Sequence, residues 1–127
     1  AIDRGIRGFS DRLAAGEPCR VFSDEIRCPL PRRVLAEGLA RLLDLEVAGT
    51  LTVASRVPVT RYEWGTRLLE HFRVPGRERV ETVRAADLEA EGMPPRPRDL
   101  TLDVSYAETL LDLRLAGIAE VLGGAPA

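Results

Sequence analysis

Between residues 31 and 45 the chain reads PRRVLAEGLARLLDL, with apolar side chains at Val34, Leu35, Leu39, Leu42 and Leu43. That three-and-four spacing predicts an amphipathic helix with these five on its buried face. A proline sits in its first turn, where a missing N–H costs nothing. A second helix is predicted over 3–15, where Ile6, Phe9 and Leu13 share one face and Gly16 closes the end. A third opens at the capping box Thr60-x-x-Glu63 and starts near Arg61. Tyr62, Leu68, Leu69 and Phe72 then face the core, with Trp64 at an edge. Tyr62 and Trp64 are either core residues or a ligand-stacking pair. Short helices follow over AADLEAEG, from a second capping box at Ser105-x-x-Glu108 through Leu111, and over 116–122 before a GGAPA tail.

Between these helices the pattern changes from a helical to an alternating one. CRVF (19–22), GTLTVAS (49–55), RVETV (79–83) and LTLD (100–103) have the character of short strands, and 23–31 is a turn leading into an extended piece. Strands separated by helices pair in parallel through crossovers. The expectation is therefore an α/β chain, mostly helical, with a minor parallel sheet in which CRVF and GTLTVAS share one ladder beneath the 31–45 helix.

The 127 residues fit a single domain, and the 30% charged and 45% apolar fractions are those of a water-soluble one. A net charge of −2 and few aromatic rings argue against nucleic acid as a partner. No apolar run is long enough to span a bilayer, and no signal peptide is expected. Cys19 and Cys28 lack metal-ligand spacing and are expected as free thiols in a cytoplasmic protein. All 18 basic residues are arginine, so no Schiff-base lysine, P-loop lysine or tyrosine–lysine pair exists in these residues. His71 is the single histidine, on a helix surface. No G-x-S-x-G, H-E-x-x-H, C-x-x-C or G-x-G-x-x-G occurs, and Asp24-Glu25 reads as a solvated acidic turn rather than a metal site. Taken alone these residues do not form an enzyme, and a start without methionine suggests a piece of a longer protein.

The stretch PPRPRDLTLD (94–103) is the unusual one. Three prolines fix φ on both sides of Arg96 and hold the backbone extended. Such a frame either is an ordinary loop with solvated arginines or presents a guanidinium to an anion at reduced entropic cost.

Three segments, in order, carry a resemblance: VFSDEIRCPLPRRVLAEGLARLL, GTLTVASRVPVTRYEWGTRLLEHF and RPRDLTLDVSYAETLL. Together they resemble the C-terminal substrate-binding domain of extended short-chain dehydrogenases, the dTDP-4-dehydrorhamnose reductase group above all. The group has an F-x-D-(E/Q)-x-x-x-P segment, a G-x-(L/Y)-x-V-x-(G/S) strand and a late R-P-x-(D/N)-x-x-L-(D/N) segment. The resemblance implies that Arg96 meets the diphosphate of a sugar nucleotide and that Asp99 meets the nucleoside. Arg27 aligns with the arginine of a related R-D-Y segment, whose tyrosine is replaced here by Pro29.

The same resemblance implies that these residues are the C-terminal half of such an enzyme, with the Rossmann half absent. NAD or NADP would be bound by that missing N-terminal domain and by nothing here. The expected function is the sugar-nucleotide-binding domain of an NAD(P)H-dependent keto-sugar reductase. The alternatives are a non-catalytic nucleotide-binding regulatory subunit of the same superfamily, or a nucleotide-sugar epimerase or dehydratase. The expected partners are a nucleotide-sugar substrate and the protein's own Rossmann domain. Pairing into a homodimer is allowed but not required, and neither nucleic acid nor membrane is expected.

Overall fold

In the computed structural model, which describes residues 4–123, the first helix, α1, runs Arg4–Ala14 and the next, α2, runs Arg32–Leu42. The others are α3 (Arg61–His71), α4 (Ala85–Ala90), α5 (Ser105–Leu111) and α6 (Ile118–Gly123). Strands are β1 (Cys19–Phe22), β2 (Ile26–Arg27), β3 (Val59–Thr60) and β4 (Val80–Val83). The side chain of Ile6 and the terminal tail lie outside the described residues. The chain forms two compact units, one made by the chain up to Ile26 with Thr60–Asp99, the other by Arg27–Val59 with the chain from Leu100 onward.

In the first unit β1 and β4 form a parallel ladder that pairs Cys19 with Val80 and Phe22 with Val83. Its core is Leu13, Cys19 and Leu69, with Phe9, Val74 and Val80 packed around them. Here α1 and α3 both pack on β1. The start of α3 is set locally, as its sequence predicts. Thr60 Oγ1 accepts from the Glu63 N–H at 3.1 Å, and Glu63 Oε2 accepts from the Thr60 N–H at 2.9 Å. Two backbone donors that the helix cannot satisfy are thereby satisfied.

The ladder corrects one expectation. The partner of CRVF is VETV, and GTLTVAS forms no strand. Alternation specifies an extended backbone with one side inward, but a ladder needs a second extended segment in register. At the end of 49–55 the Ser55 N–H donates to Cys28 O, and just beyond it the Arg56 N–H donates to Leu115 O. LTLD likewise forms no strand. Leu100 and Leu102 are exposed, and Asp103 turns back so that Oδ1 accepts from the Ser105 N–H at 2.9 Å.

Two further corrections concern helices of the second unit. The Ser105-x-x-Glu108 box does not form: Ser105 is already helical, Val104 caps α5 without a side-chain bond, and Glu108 Oε1 accepts from the Leu115 N–H at 2.8 Å. On α2 the buried position is Gly38, against Leu111 and Leu113, with Val34 and Leu42 beside it, whereas Leu39 is 52% and Leu43 87% exposed. The helix therefore presents the Val34–Gly38–Leu42 stripe. A glycine in the middle of that stripe admits a neighbouring leucine more closely than the larger side chains of the adjacent stripe would. The core of this unit is Ala54, Val104, Ala107, Leu111 and Leu115.

Candidate functional site

The site is built from two segments of the first unit, 22–26 and 96–99. They are joined through the backbone, where Ile26 N–H donates to Arg98 O at 2.6 Å and Ile26 and Asp99 make a parallel bridge. The prolines on either side of Arg96 and Arg98 restrict this turn before any side-chain contact is made. Side chains then lock the two segments together. Arg98 lies 3.5 Å from Asp24 Oδ2 and donates to Glu89 Oε2, while the Arg96 N–H donates to Glu89 Oε1 at 2.9 Å.

The acidic pair is not solvated as the sequence suggests. Glu25 is fully buried, with 0% exposure. Its Oε1 accepts from Arg96 Nε at 2.6 Å and its Oε2 from Arg61 Nη1 at 3.4 Å. A buried carboxylate is tolerated only when partnered in this way. Asp24 takes a different place, at the start of α4, where it accepts from the N–H groups of Ala85 at 2.8 Å and Ala86 at 3.4 Å. Its partial burial raises the carboxyl pKa, but those two amides and Arg98 outweigh burial and hold it below the usual aspartate value. Among the described residues no three acidic, histidine or cysteine side chains cluster as metal ligands would.

Arg96 is held on two sides. Its Nε is on Glu25, and its guanidinium carbon lies 5.1 Å from the centroid of the Phe22 ring, within cation–π range. The bond to Glu25, and then its charge, push the arginine pKa further up. Neither terminal nitrogen of Arg96 has a hydrogen-bond partner among the described residues, and the side chain is 41% exposed. Asp99 lies three residues on in the same turn, and Arg27 follows Ile26 in β2 as the first residue of the second unit. The sequence reading missed Glu25, Arg61 and Phe22. Only the F-x-D-E order of the first motif hinted at Phe22 and Glu25, and nothing in it revealed Arg61 or the burial of Glu25.

Trp64 and Leu69 of α3, with Phe9 and Val21, line a small apolar cavity of about 70 Å³. The Trp64 indole N–H has no partner among the described residues, and Tyr62 is half-buried. Both Cys19 and Cys28 are free thiols. His71 is exposed at the end of α3, with its ring edge-on to Phe72. Among the described residues no helix is long and apolar enough to cross a membrane.

No protein-family model matches the sequence. Over 98 residues, 76% of its length, the chain is 36% identical to the probable low-salt glycan biosynthesis reductase of Haloferax volcanii. The solved structure of a hypothetical dTDP-4-dehydrorhamnose reductase from Sulfolobus tokodaii superposes over the whole chain, with a TM-score of 0.69 and 26% identity. The chain is similar in sequence to the first of these reductases and in fold to the second. It spans 31% of the Haloferax reductase and 44% of the Sulfolobus one, consistent with the C-terminal half of such a reductase. The UDP-N-acetylglucosamine 4-epimerase of Bacillus cereus shares the fold, with a TM-score of 0.60 over 91% of this chain and 36% of its own, at 19% identity.

A reductase of this group implies a nicotinamide cofactor, and the residues described here do not fit one. A dinucleotide pyrophosphate requires a glycine-rich turn between a strand and a helix N-terminus. At the one strand-to-helix junction of the ladder, after β4, the first amides of α4 are already taken by the Asp24 carboxylate. A second anion there would meet that negative charge.

Proposed function

We propose that this chain is the nucleotide-sugar-binding part of an NAD(P)H-dependent keto-sugar reductase similar to the dTDP-4-dehydrorhamnose reductases. The observation that carries the reading is Arg96, a guanidinium fixed through Nε and one ring face, on a side chain that stays 41% exposed. The relatives support the substrate class, since those of known structure are named for a dTDP-linked and a UDP-linked sugar. In this reading Arg96 binds the diphosphate, Asp99 bonds the nucleoside and Arg27 adds a second cation. A planar fork matches two phosphate oxygens at once, which an ammonium cannot do.

The chemistry of this segment is binding and orientation. Holding the diphosphate, remote from the reacting carbon, fixes where the keto group of the sugar lies, and that binding energy contributes to the rate by restricting motion. A nicotinamide would have to be held by residues other than these, and there it would supply the hydride. The same arrangement would serve a non-catalytic nucleotide-binding subunit, so activity and binding are measured separately.

The test uses the full-length protein. Calorimetric titration with dTDP- and UDP-sugars should show saturable binding, and the corresponding 4-keto sugars should drive NADH or NADPH oxidation. Binding without turnover would favour the regulatory reading, and absence of binding to every nucleotide sugar would refute both.

A further inference from the structure

We propose that Glu25 is a positioning residue for Arg96, and that its buried carboxylate decides which edge of that guanidinium meets the ligand. This rests on the reading of Arg96 as the diphosphate-binding group. A guanidinium can engage an anion side-on through Nε and one terminal nitrogen, or end-on through both terminal nitrogens. Here Nε is committed to Glu25 Oε1 at 2.6 Å, so only the end-on pair remains. Phe22 covers one face of the plane at 5.1 Å, which restricts rotation about the long side chain. The backbone of the turn is fixed by Pro95 and Pro97 on either side of Arg96.

Glu25 can hold Arg96 in this way because it does not depend on it alone. Its other oxygen faces Arg61 Nη1 at 3.4 Å, on the first residue of α3. The Arg61 N–H donates to the Glu25 backbone carbonyl at 2.9 Å, which ties the acidic segment to the start of the helix. The carboxylate thus stands on a helix whose first turn is fixed by its capping box, while Arg96 reaches it from a proline-bound turn. A positioned arginine loses less rotamer entropy when it meets an anion than a solvated one. A lysine at 96 would have to serve Glu25 and the ligand from one nitrogen, without a separate planar pair of donors to offer the anion.

The test is a double-mutant cycle on the full-length protein, titrated with dTDP and with UDP at one salt concentration and with thermal stability followed in parallel. Arg96→Ala should weaken binding, and if it does not, the diphosphate reading itself fails. Glu25→Gln should weaken binding about tenfold in the wild-type background and by less than about twofold in the Arg96→Ala background. A purely structural role would give the same loss in both backgrounds and would overturn the proposal while leaving Arg96 its role. Full affinity in Glu25→Gln would overturn it equally. Should Glu25→Gln not fold, Glu25→Asp, which keeps the charge and withdraws it by one methylene, is read by the same cycle.

Discussion

The hydroxyl of Ser55 occupies the space into which a side chain at Gly117 would project, and a Cβ built on Gly117 would lie 2.1 Å from Ser55 Oγ. Ser55 is fully buried, at 0% exposure. Its hydroxyl donates to Val57 O at 2.9 Å and accepts from the Val57 N–H at 3.1 Å, so it cannot rotate away without losing both bonds. Gly117→Ala should therefore destabilise by about 2–4 kcal/mol, from overpacking plus a strained or broken buried hydrogen bond. Ser55→Ala removes the nearest clashing atom, so the double variant should be more stable than the sum of the single losses predicts. Thermal denaturation of the four proteins checks this, and strict additivity would contradict it.

Gly76 is the corresponding position in the first unit. Its φ is +80°, and a Cβ there would sit 3.0 Å from the carbonyl oxygen of Leu13, which already accepts from Arg79 Nη1 at 3.2 Å. Left-handed backbone costs an ordinary residue about 1–2 kcal/mol, and the contact with the carbonyl adds to that. Gly76→Ala should lower the melting temperature, whereas Gly8→Ala, with nothing within 4 Å of the new Cβ, should not. Equal melting temperatures for the two variants would show that the turn is not constrained.

The capping box at Thr60 and Glu63 gives a pH dependence whose sign is fixed. The Thr60 N–H, then its hydroxyl, hold the Glu63 carboxyl below the ordinary glutamate value against a smaller effect of burial, with Arg67 adding to the lowering. A lowered native pKa means that the stabilisation is complete above the unfolded value, about 4.3, and is lost as the pH falls through the native one. Urea denaturation between neutral and acid pH should thus show a smaller acid loss in Glu63→Gln than in wild type. Thr60→Ala should cost about 1 kcal/mol at neutral pH. An unchanged acid slope in Glu63→Gln would remove the box from the account.

Arg96 and Arg98 are two residues apart in one turn and should behave differently in the full-length protein. Arg96→Ala should weaken sugar-nucleotide binding by about tenfold to a hundredfold, with Arg96→Lys recovering part of the loss. Arg98 is already engaged by Asp24 and Glu89. Arg98→Ala should act mainly on thermal stability, by loosening the join between the 22–26 and 96–99 segments. Equal losses of affinity at the two positions would mean that the turn acts only through its net charge.

What the sequence determined by itself is what neighbours in the chain decide. Thr60 and Glu63 are three apart and found each other, the glycine after α1 ended it, and the strand character of CRVF and VETV was legible because both are short, β-branched and bounded by turns. The order of three motifs was enough to indicate the resemblance to the reductases that the chain is similar to. The tertiary structure decided everything that depends on competition between distant partners. Glu108 pairs with the Leu115 amide instead of closing a box with Ser105, and the 49–55 segment joins no ladder, its Ser55 amide meeting the Cys28 carbonyl instead. The inward stripe of α2 follows Gly38, which no count of leucines could reveal. Glu25 reads in the sequence as one of two acids in a polar turn. Its burial between Arg61 and Arg96, 36 and 71 residues away, exists only once the chain has brought three segments together, and a carboxylate leaves water only where such partners are already in place.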